Sequence, residues 1–264
     1  MASWLKNAQF YGALLRTSLK AVTALRGSFL LSMAFMVLNN LSFFVFWWVL
    51  FARVGNLRGW RLSDVELLFG MIAASFGLMQ ALAGGVVHLS RVIDEGELDP
   101  LLTQPKPTLL YTVSSRSQAS GFGDLLSGIG FLFVSGHLTW SSAPRVLLCL
   151  LASAVTFLGS GIVYFSLAFW LRNTRTLSRQ LYEVLITFSL YPEPLFGGVL
   201  KLLLFTLLPA GSVGYLPVRV IRDASFWDAA LLCAGAAGFL LLAARVFESG
   251  LRRYSSGSRF GVFG

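Results

Sequence analysis

The sequence predicts an all-α integral membrane protein, and three observations carry that prediction. Hydrophobic residues make up 56% of the 264 residues and charged ones only 12%, against roughly 45–50% and roughly 25% in soluble domains. Mean hydropathy is +0.72. The apolar residues fall in long runs separated by short polar segments, so about six spans of about 20 residues fit in one membrane domain over residues 1–264, with no separate soluble domain.

The first 28 residues place Tyr11, Leu15, Leu19, Val22 and Leu25, after Trp4, Leu5 and Ala8, at three- and four-residue spacing. Lys6, Arg16, Lys20 and Arg26 take other faces. This pattern predicts an amphipathic helix lying in the membrane interface. It lacks the short isolated apolar core and small-residue cleavage site of a secretory leader, so no cleaved signal peptide is expected.

The first span is expected at 29–51. It ends in Phe43, Phe44, Phe46, Trp47 and Trp48, read as an aromatic belt. Asn39 and Asn40 interrupt it and are expected to face other helices. Ser63 and Glu66 have capping-box spacing for the second span, 65–87. Gly70, Ala74, Gly77, Ala81, Gly84 and Gly85 allow that helix close packing in lipid. The third span, 111–135, is weaker because it contains Arg116, Gln118 and Asp124. The fourth, 145–171, is strongly apolar. A fifth at 181–192 is cut short by Tyr191-Pro192-Glu193-Pro194. The following stretch, 194–222, is apolar but broken again at Pro209 and Pro217, a pattern that predicts re-entrant half-helices buried in protein. The sixth span is 226–247, followed by a basic tail.

With the amino terminus and six crossings set so that both termini are cytoplasmic, the cytoplasmic segments hold twice as many of the 21 Lys and Arg residues as the outer ones. The net charge of +9 therefore reads as topology, and no nucleic-acid partner is expected. The basic patch Arg172, Arg175 and Arg179 falls inside.

One segment departs from the rest. Arg91-Val-Ile-Asp-Glu-Gly-Glu-Leu-Asp-Pro-Leu-Leu102, on the cytoplasmic side, concentrates Asp94, Glu95, Glu97 and Asp99 beside Leu98, Leu101 and Leu102, with Gly96 as a break. A short helix here shows an apolar stripe and an acidic face to an aqueous partner, since exposed leucines need cover. Its charge alone also fits a solvated turn.

Taken together these features resemble the membrane subunit of ABC transporters of the ABC-2 type. The resemblance rests on Arg91–Leu102, on Tyr191-Pro192 with Leu204-Phe-Thr-Leu-Leu-Pro-Ala210 and Tyr215-Leu-Pro217, and on Leu251-Arg-Arg-Tyr254-Ser-Ser, which is similar to a terminal Leu-x-x-Tyr-x-Ser signature. Ser256-Gly257 departs from the alanine-rich run expected there. The resemblance implies a coupling helix at 91–102 resting in a groove of an ATPase, with Arg91, Asp94, Glu95, Gly96, Glu97, Leu98, Asp99, Leu101 and Leu102 at the contact. It implies gate helices around Tyr191, Pro192, Pro194, Pro209 and Pro217. It further implies a dimer of ATPase subunits, a second permease, identical or similar, a place in the inner (cytoplasmic) membrane, and export of drug-, lipid- or natural-product-like cargo.

The sequence has no Gly-x-x-x-x-Gly-Lys-Ser/Thr, so the chain is not expected to be an enzyme or to bind a cofactor; ATP and Mg belong to the partner ATPase. The competing class is a secondary transporter or channel working without an ATPase, for which broken helices and intramembrane acids are also expected. Asp124 and Glu183 are the intramembrane ionisable residues, with Arg116 and Arg179 as candidate ion-pair partners. His88 and His137 sit at span ends and lack metal-ligand spacing. Ser135-Gly-His137 and Gly159-Ser-Gly161 lack the turn, base and orienting partner of a serine hydrolase. Cys149 and Cys233 are expected to be small buried residues.

Overall fold

The computed structural model describes residues 2–171 and 174–255. Arg172 of the basic patch, Ser256 and Gly257 of the tail, and the side chains of Trp4, Leu5, Lys6 and Ala8 lie outside the described residues. Within them the chain is helical, without strands.

Helix α1 (Ala2–Ala24) leads into α2 (Arg26–Val54). It packs along the end of the bundle that carries the acidic segment. Phe10 stacks on Tyr111 at 6.1 Å and Lys106 Nζ sits 3.7 Å over the Phe10 ring. Ser18 Oγ donates to Ser117 Oγ at 2.9 Å. Helix α2 presents Leu31, Phe35, Leu38, Phe46 and Trp48 outward, but two of its expected belt aromatics turn inward. Trp47 is buried with its ring edge-on to Tyr191 at 5.6 Å, and Phe44 packs between Phe69 and Phe131.

A turn with Gly55 and Gly59 at positive φ reverses the chain into α3 (Leu62–Ala83). The expected Ser63–Glu66 capping box does not form. The helix starts two residues earlier, with Arg61 at its N-cap, and Asp64 Oδ2 accepts the Arg61 backbone N–H at 2.8 Å. A 3₁₀ turn at Gly84–His88 and α4 (Leu89–Asp94) carry α3 onward, giving a 33-residue helical rod about 50 Å long.

The third span is shorter than the apolar run suggests. Leu109, Leu110, Tyr111 and Val113 belong to a separate helix, α6 (Thr108–Ser114), and only α7 (Ala119–Val134) enters the bundle. The break at 115–118 is held by Gln118 N–H to Gln80 O at 3.1 Å and Ser117 Oγ to Ala81 O at 2.7 Å. Small residues set the α3–α7 contact: a methyl on Gly128 would stand 2.7 Å from Ala74 Cα, and one on Gly77 would stand 2.5 Å from the Gly121 carbonyl. Without a hydrophobic force between helices in lipid, such close approach supplies the packing energy.

Helix α8 (Ala143–Phe165) packs on α3 and on α12 (Phe226–Leu251). Cys149 on α8 is buried as expected, whereas Cys233 on α12 is exposed. The basic patch opens α9 (Arg175–Ser189), which buries Tyr182, Leu185 and Ser189.

After Tyr191 the chain forms α10 (Gly198–Thr206), a π turn (Gly211–Tyr215) and α11 (Leu216–Asp223), with a 78° bend between α10 and the rest. By length and composition α2, α3 with α4, α8 and α12 reach across a membrane, and the bent pair makes a fifth crossing if it counts as one. The expected six crossings thus rest on α7 and α9, the 16- and 15-residue elements.

Candidate functional site

The acidic segment is two short helices rather than the single one expected at 91–102. Helix α4 ends in a Schellman motif: Glu97 N–H donates to Val92 O at 3.0 Å and Gly96 N–H to Ile93 O at 3.3 Å, with Gly96 at φ +75°. Only glycine takes that conformation without strain, so the motif stops the helix here. Helix α5 (Asp99–Leu102) then starts a new direction, with Pro100 in its first turn.

Packing divides the apolar residues of this turn. Val92, Ile93 and Leu98 are buried in the chain's own core and Leu101 is half-buried, while Leu102 is 45% exposed. Leu98 thus anchors the turn instead of awaiting a partner. The outward surface consists of Glu97, Pro100, Leu102 and Thr103. Beside it, Val92, Glu97, Leu101, Tyr111, Thr112, Ser115 and Arg116 line a polar cavity of about 330 Å³.

Ion pairs tie the turn to the first turn of α9. Arg175 reaches Asp94 Oδ2 at 3.3 Å and Glu95 Oε1 at 3.0 Å, and Arg91 lies 3.9 Å from Glu95 and 3.7 Å from Glu97. On its other flank Tyr254, just past α12, donates its hydroxyl to Asp99 Oδ1 at 2.9 Å. Burial, then that bond and the Asp99 charge, raise the Tyr254 pKa well above the usual phenol range. Tyr254 also meets Phe169 edge-on at 6.1 Å. The turn is therefore joined to α3 through α4, to α9 and to the segment after α12.

At mid-bundle, Asp124 on α7 is only 3% exposed. It does not pair with Arg116, which sits in the break at 115–118. Asp124 Oδ1 instead accepts from Asn40 Nδ2 at 2.8 Å, and the same amide donates to Ser127 Oγ at 2.8 Å. Asn40 thus faces α7 as expected, while Asn39 is exposed along a cleft. Glu183 does pair with Arg179, at 3.5 Å, but that pair is exposed. His88 contacts Gln118, with 3.0 Å between their side-chain nitrogens. Ser135 Oγ donates to Leu132 O and Ser160 Oγ to Thr156 O, which are helix back-bonds without catalytic geometry.

Tyrosines satisfy one freed carbonyl at the break of the bent pair and one in the last turn of α9, which precedes it. Tyr164 Oη donates to Leu207 O at 2.5 Å, and Tyr215 Oη to Phe188 O at 2.8 Å. Irregular backbone survives at membrane depth only with such internal partners. Pro192, Pro209 and Pro217 are buried at the breaks, and the Pro194 carbonyl accepts from Arg58 Nη1 at 2.8 Å. Around them runs a charge network: Glu193 pairs with Lys201 at 2.7 Å and lies 4.0 Å from Arg219, Arg219 pairs with Asp228 at 3.3 Å, and Arg222 with Asp64 at 3.6 Å.

The sequence profile of the ABC-2 family transporter proteins matches residues 36–258, which span both the acidic turn and the bent pair. The chain belongs to the ABC-2 transporter family. No curated protein and no solved structure matches it. As an ABC-2 protein it is a multi-pass membrane permease component of an ABC transporter, a transport rather than a catalytic element. The ABC-2 match gives the acidic turn its context, yet Arg175, Asn40 and the Tyr254–Asp99 bond emerge only from the fold. The one sequence signal for the last was the tyrosine of Leu251-Arg-Arg-Tyr254.

Proposed function

We propose that this permease crosses the membrane six times and pairs with a second, identical or similar permease. ATP hydrolysis on a separate dimeric ATPase that docks at the acidic turn drives it. The carrying observation is that Arg91–Leu102 is held from both sides, by Arg175 at 3.0–3.3 Å and Tyr254 at 2.9 Å, at the end of the α3–α4 rod. A push there moves packed helices as rigid elements, the kind of shift that converts into a gate opening. The bent pair around Tyr191, Pro192, Pro194, Pro209 and Pro217 is the gate in this reading. Both termini are cytoplasmic in the inner membrane, ATP and Mg bind the ATPase, and cargo of drug-, lipid- or natural-product type is exported.

Two-fold symmetry favours the permease pair, since one such bundle makes half a pathway. The outward face of α2 supplies apolar surface for a lipid or helical neighbour. The test is co-purification of a tagged chain with its P-loop ATPase, with Glu97→Lys and Leu102→Asp as variants. The reading expects the ATPase to be retained by the native chain and lost by both variants. Full retention by both, or transport in liposomes free of any ATPase, would overturn it in favour of a secondary transporter or channel.

A further inference from the structure

A cleft of about 200 Å³ opens between α2, α3, α7 and α9. Its walls are apolar and aromatic, with Phe43, Phe69, Ile72 and Phe76 among them, and its polar groups are Asn39, Asn40 and Asp124. Among the described residues no Lys or Arg lines it. Asp124 is 97% buried by the 3% exposure of its residue, and its two oxygens differ. Oδ1 takes the Asn40 amide, while the buried Oδ2 has no hydrogen-bond partner among the described residues.

A buried carboxylate oxygen without a donor is costly at membrane depth. Helix packing alone does not require it, because Gly77, Gly121 and Gly128 already bring α3 and α7 together, and the Oδ1–Asn40 bond already links α2 to α7. A second cavity of about 320 Å³ at the acidic-turn end shares Phe76 and Ile186 with this cleft as lining residues, and its rim carries the Arg179–Glu183 pair. The two cavities are therefore neighbours.

We propose that this cleft is a cargo site for the amine-bearing end of an apolar molecule, with Asp124 Oδ2 accepting the ammonium and Phe43, Phe69 and Phe76 enclosing the adjoining hydrocarbon or ring. The charge complements the carboxylate, and the aromatic faces suit a cation and its apolar neighbour together. Asn40 is a positioning residue, fixing the carboxyl through Oδ1. The proposal rests on the permease reading for the word cargo, but the site's chemistry does not depend on an ATPase.

The test uses the purified chain in phosphatidylcholine nanodiscs without ATPase, with para-fluorophenethylamine and its hydroxyl isostere, para-fluorophenylethanol, followed by fluorine NMR. The amine should bind at least about tenfold more tightly, as expected for a hydrogen bond to a charged group. Asp124→Asn should remove that preference. Equal binding of the two probes by the native chain, which needs no variant to fold, would overturn the proposal and leave Asp124 as helix-packing glue. An amine preference that persists in Asp124→Asn would overturn it as well. Neither result bears on whether the acidic turn holds an ATPase, so the two readings fail separately.

Discussion

Tyr254 donates its hydroxyl to Asp99 Oδ1 at 2.9 Å across 155 residues of sequence, so the end of α12 holds the turn that follows α4. Tyr254 is in turn fixed by Phe169, against which Gly250 also packs with no room for a side chain. Tyr254, three residues past the last helix, is thereby a brace for the surface proposed to dock an ATPase.

Tyr254→Phe removes only that bond and keeps the ring on Phe169. A hydrogen bond of about 0.5–1.5 kcal/mol should, when lost, speed amide exchange in the peptide covering Glu97–Leu102 by about two- to tenfold. Hydrogen exchange read by mass spectrometry checks it, and unchanged exchange would show that the bond does not hold the turn.

Arg175→Glu replaces two attractions by two repulsions, with Asp94 and Glu95. Both pairs are partly exposed, so each contributes at most about 1 kcal/mol and is screened by salt. ATPase retained in pull-downs should fall about fivefold and recover in the double variant Arg175→Glu with Glu95→Arg. Wild-type retention by the single variant would mean that α9 does not support the turn.

Gly96→Ala forces an L side chain to φ +75°, at a cost of about 1–2 kcal/mol. Because the strain sits at the helix stop, α4 should fray while the bundle persists. The expected readout is faster exchange confined to the peptide Ile93–Leu98, with an unchanged melting temperature; Gly96→Asn should be milder, since asparagine tolerates left-handed backbone.

The contact between α3 and α7 gives a paired comparison. A methyl on Gly128 would meet Ala74, whereas Gly130 on the same helix has open space around it. Overpacking costs about 1–3 kcal/mol, while glycine to alanine in an unobstructed helix gains about 0.5–1 kcal/mol. Thermal unfolding in detergent should therefore show Gly128→Ala lowered and Gly130→Ala equal to or above the native chain.

These residues also mark what the sequence made legible. The contrast of charge against grease isolated Arg91–Leu102, and Gly96 was readable as a helix stop because its type names a left-handed backbone. The partners were not readable. Arg175 and Tyr254 lie 81 and 155 residues from Asp94 and Asp99, and no local period links them. Arg116 was the nearest cation to Asp124 in sequence, but the break at 115–118 turns it away, and Asn40 of α2 takes its place. The break between α6 and α7 is not legible because residues 114–118 hold no proline or glycine to signal it. Trp47 reads as a belt residue in the sequence, since period alone does not separate a lipid-facing aromatic from one that meets Tyr191.

The last prediction concerns the bent pair. Glu193 is 91% buried by its 9% exposure and accepts from Lys201 on α10 at 2.7 Å while lying 4.0 Å from Arg219 on α11. Among the described residues it is the carboxylate that reaches a cation on each arm of the 78° bend. Glu193→Gln keeps the shape but removes the charge. Lys201 can turn to solvent, being 46% exposed, and Arg219 keeps Asp228 at 3.3 Å, so neither cation is stranded. The loss should fall between the exposed and buried limits for ion pairs, about 1–2 kcal/mol, and should be felt at the bend alone. Tyr164 and Tyr215 still cap the Leu207 and Phe188 carbonyls, so the helices persist while their angle relaxes. Spin labels on Val199 and Phe226, both exposed, should report a broader distance distribution in Glu193→Gln than in the native chain. If the distribution stays as narrow, the tyrosine caps alone set the bend and the charge network does not hold it.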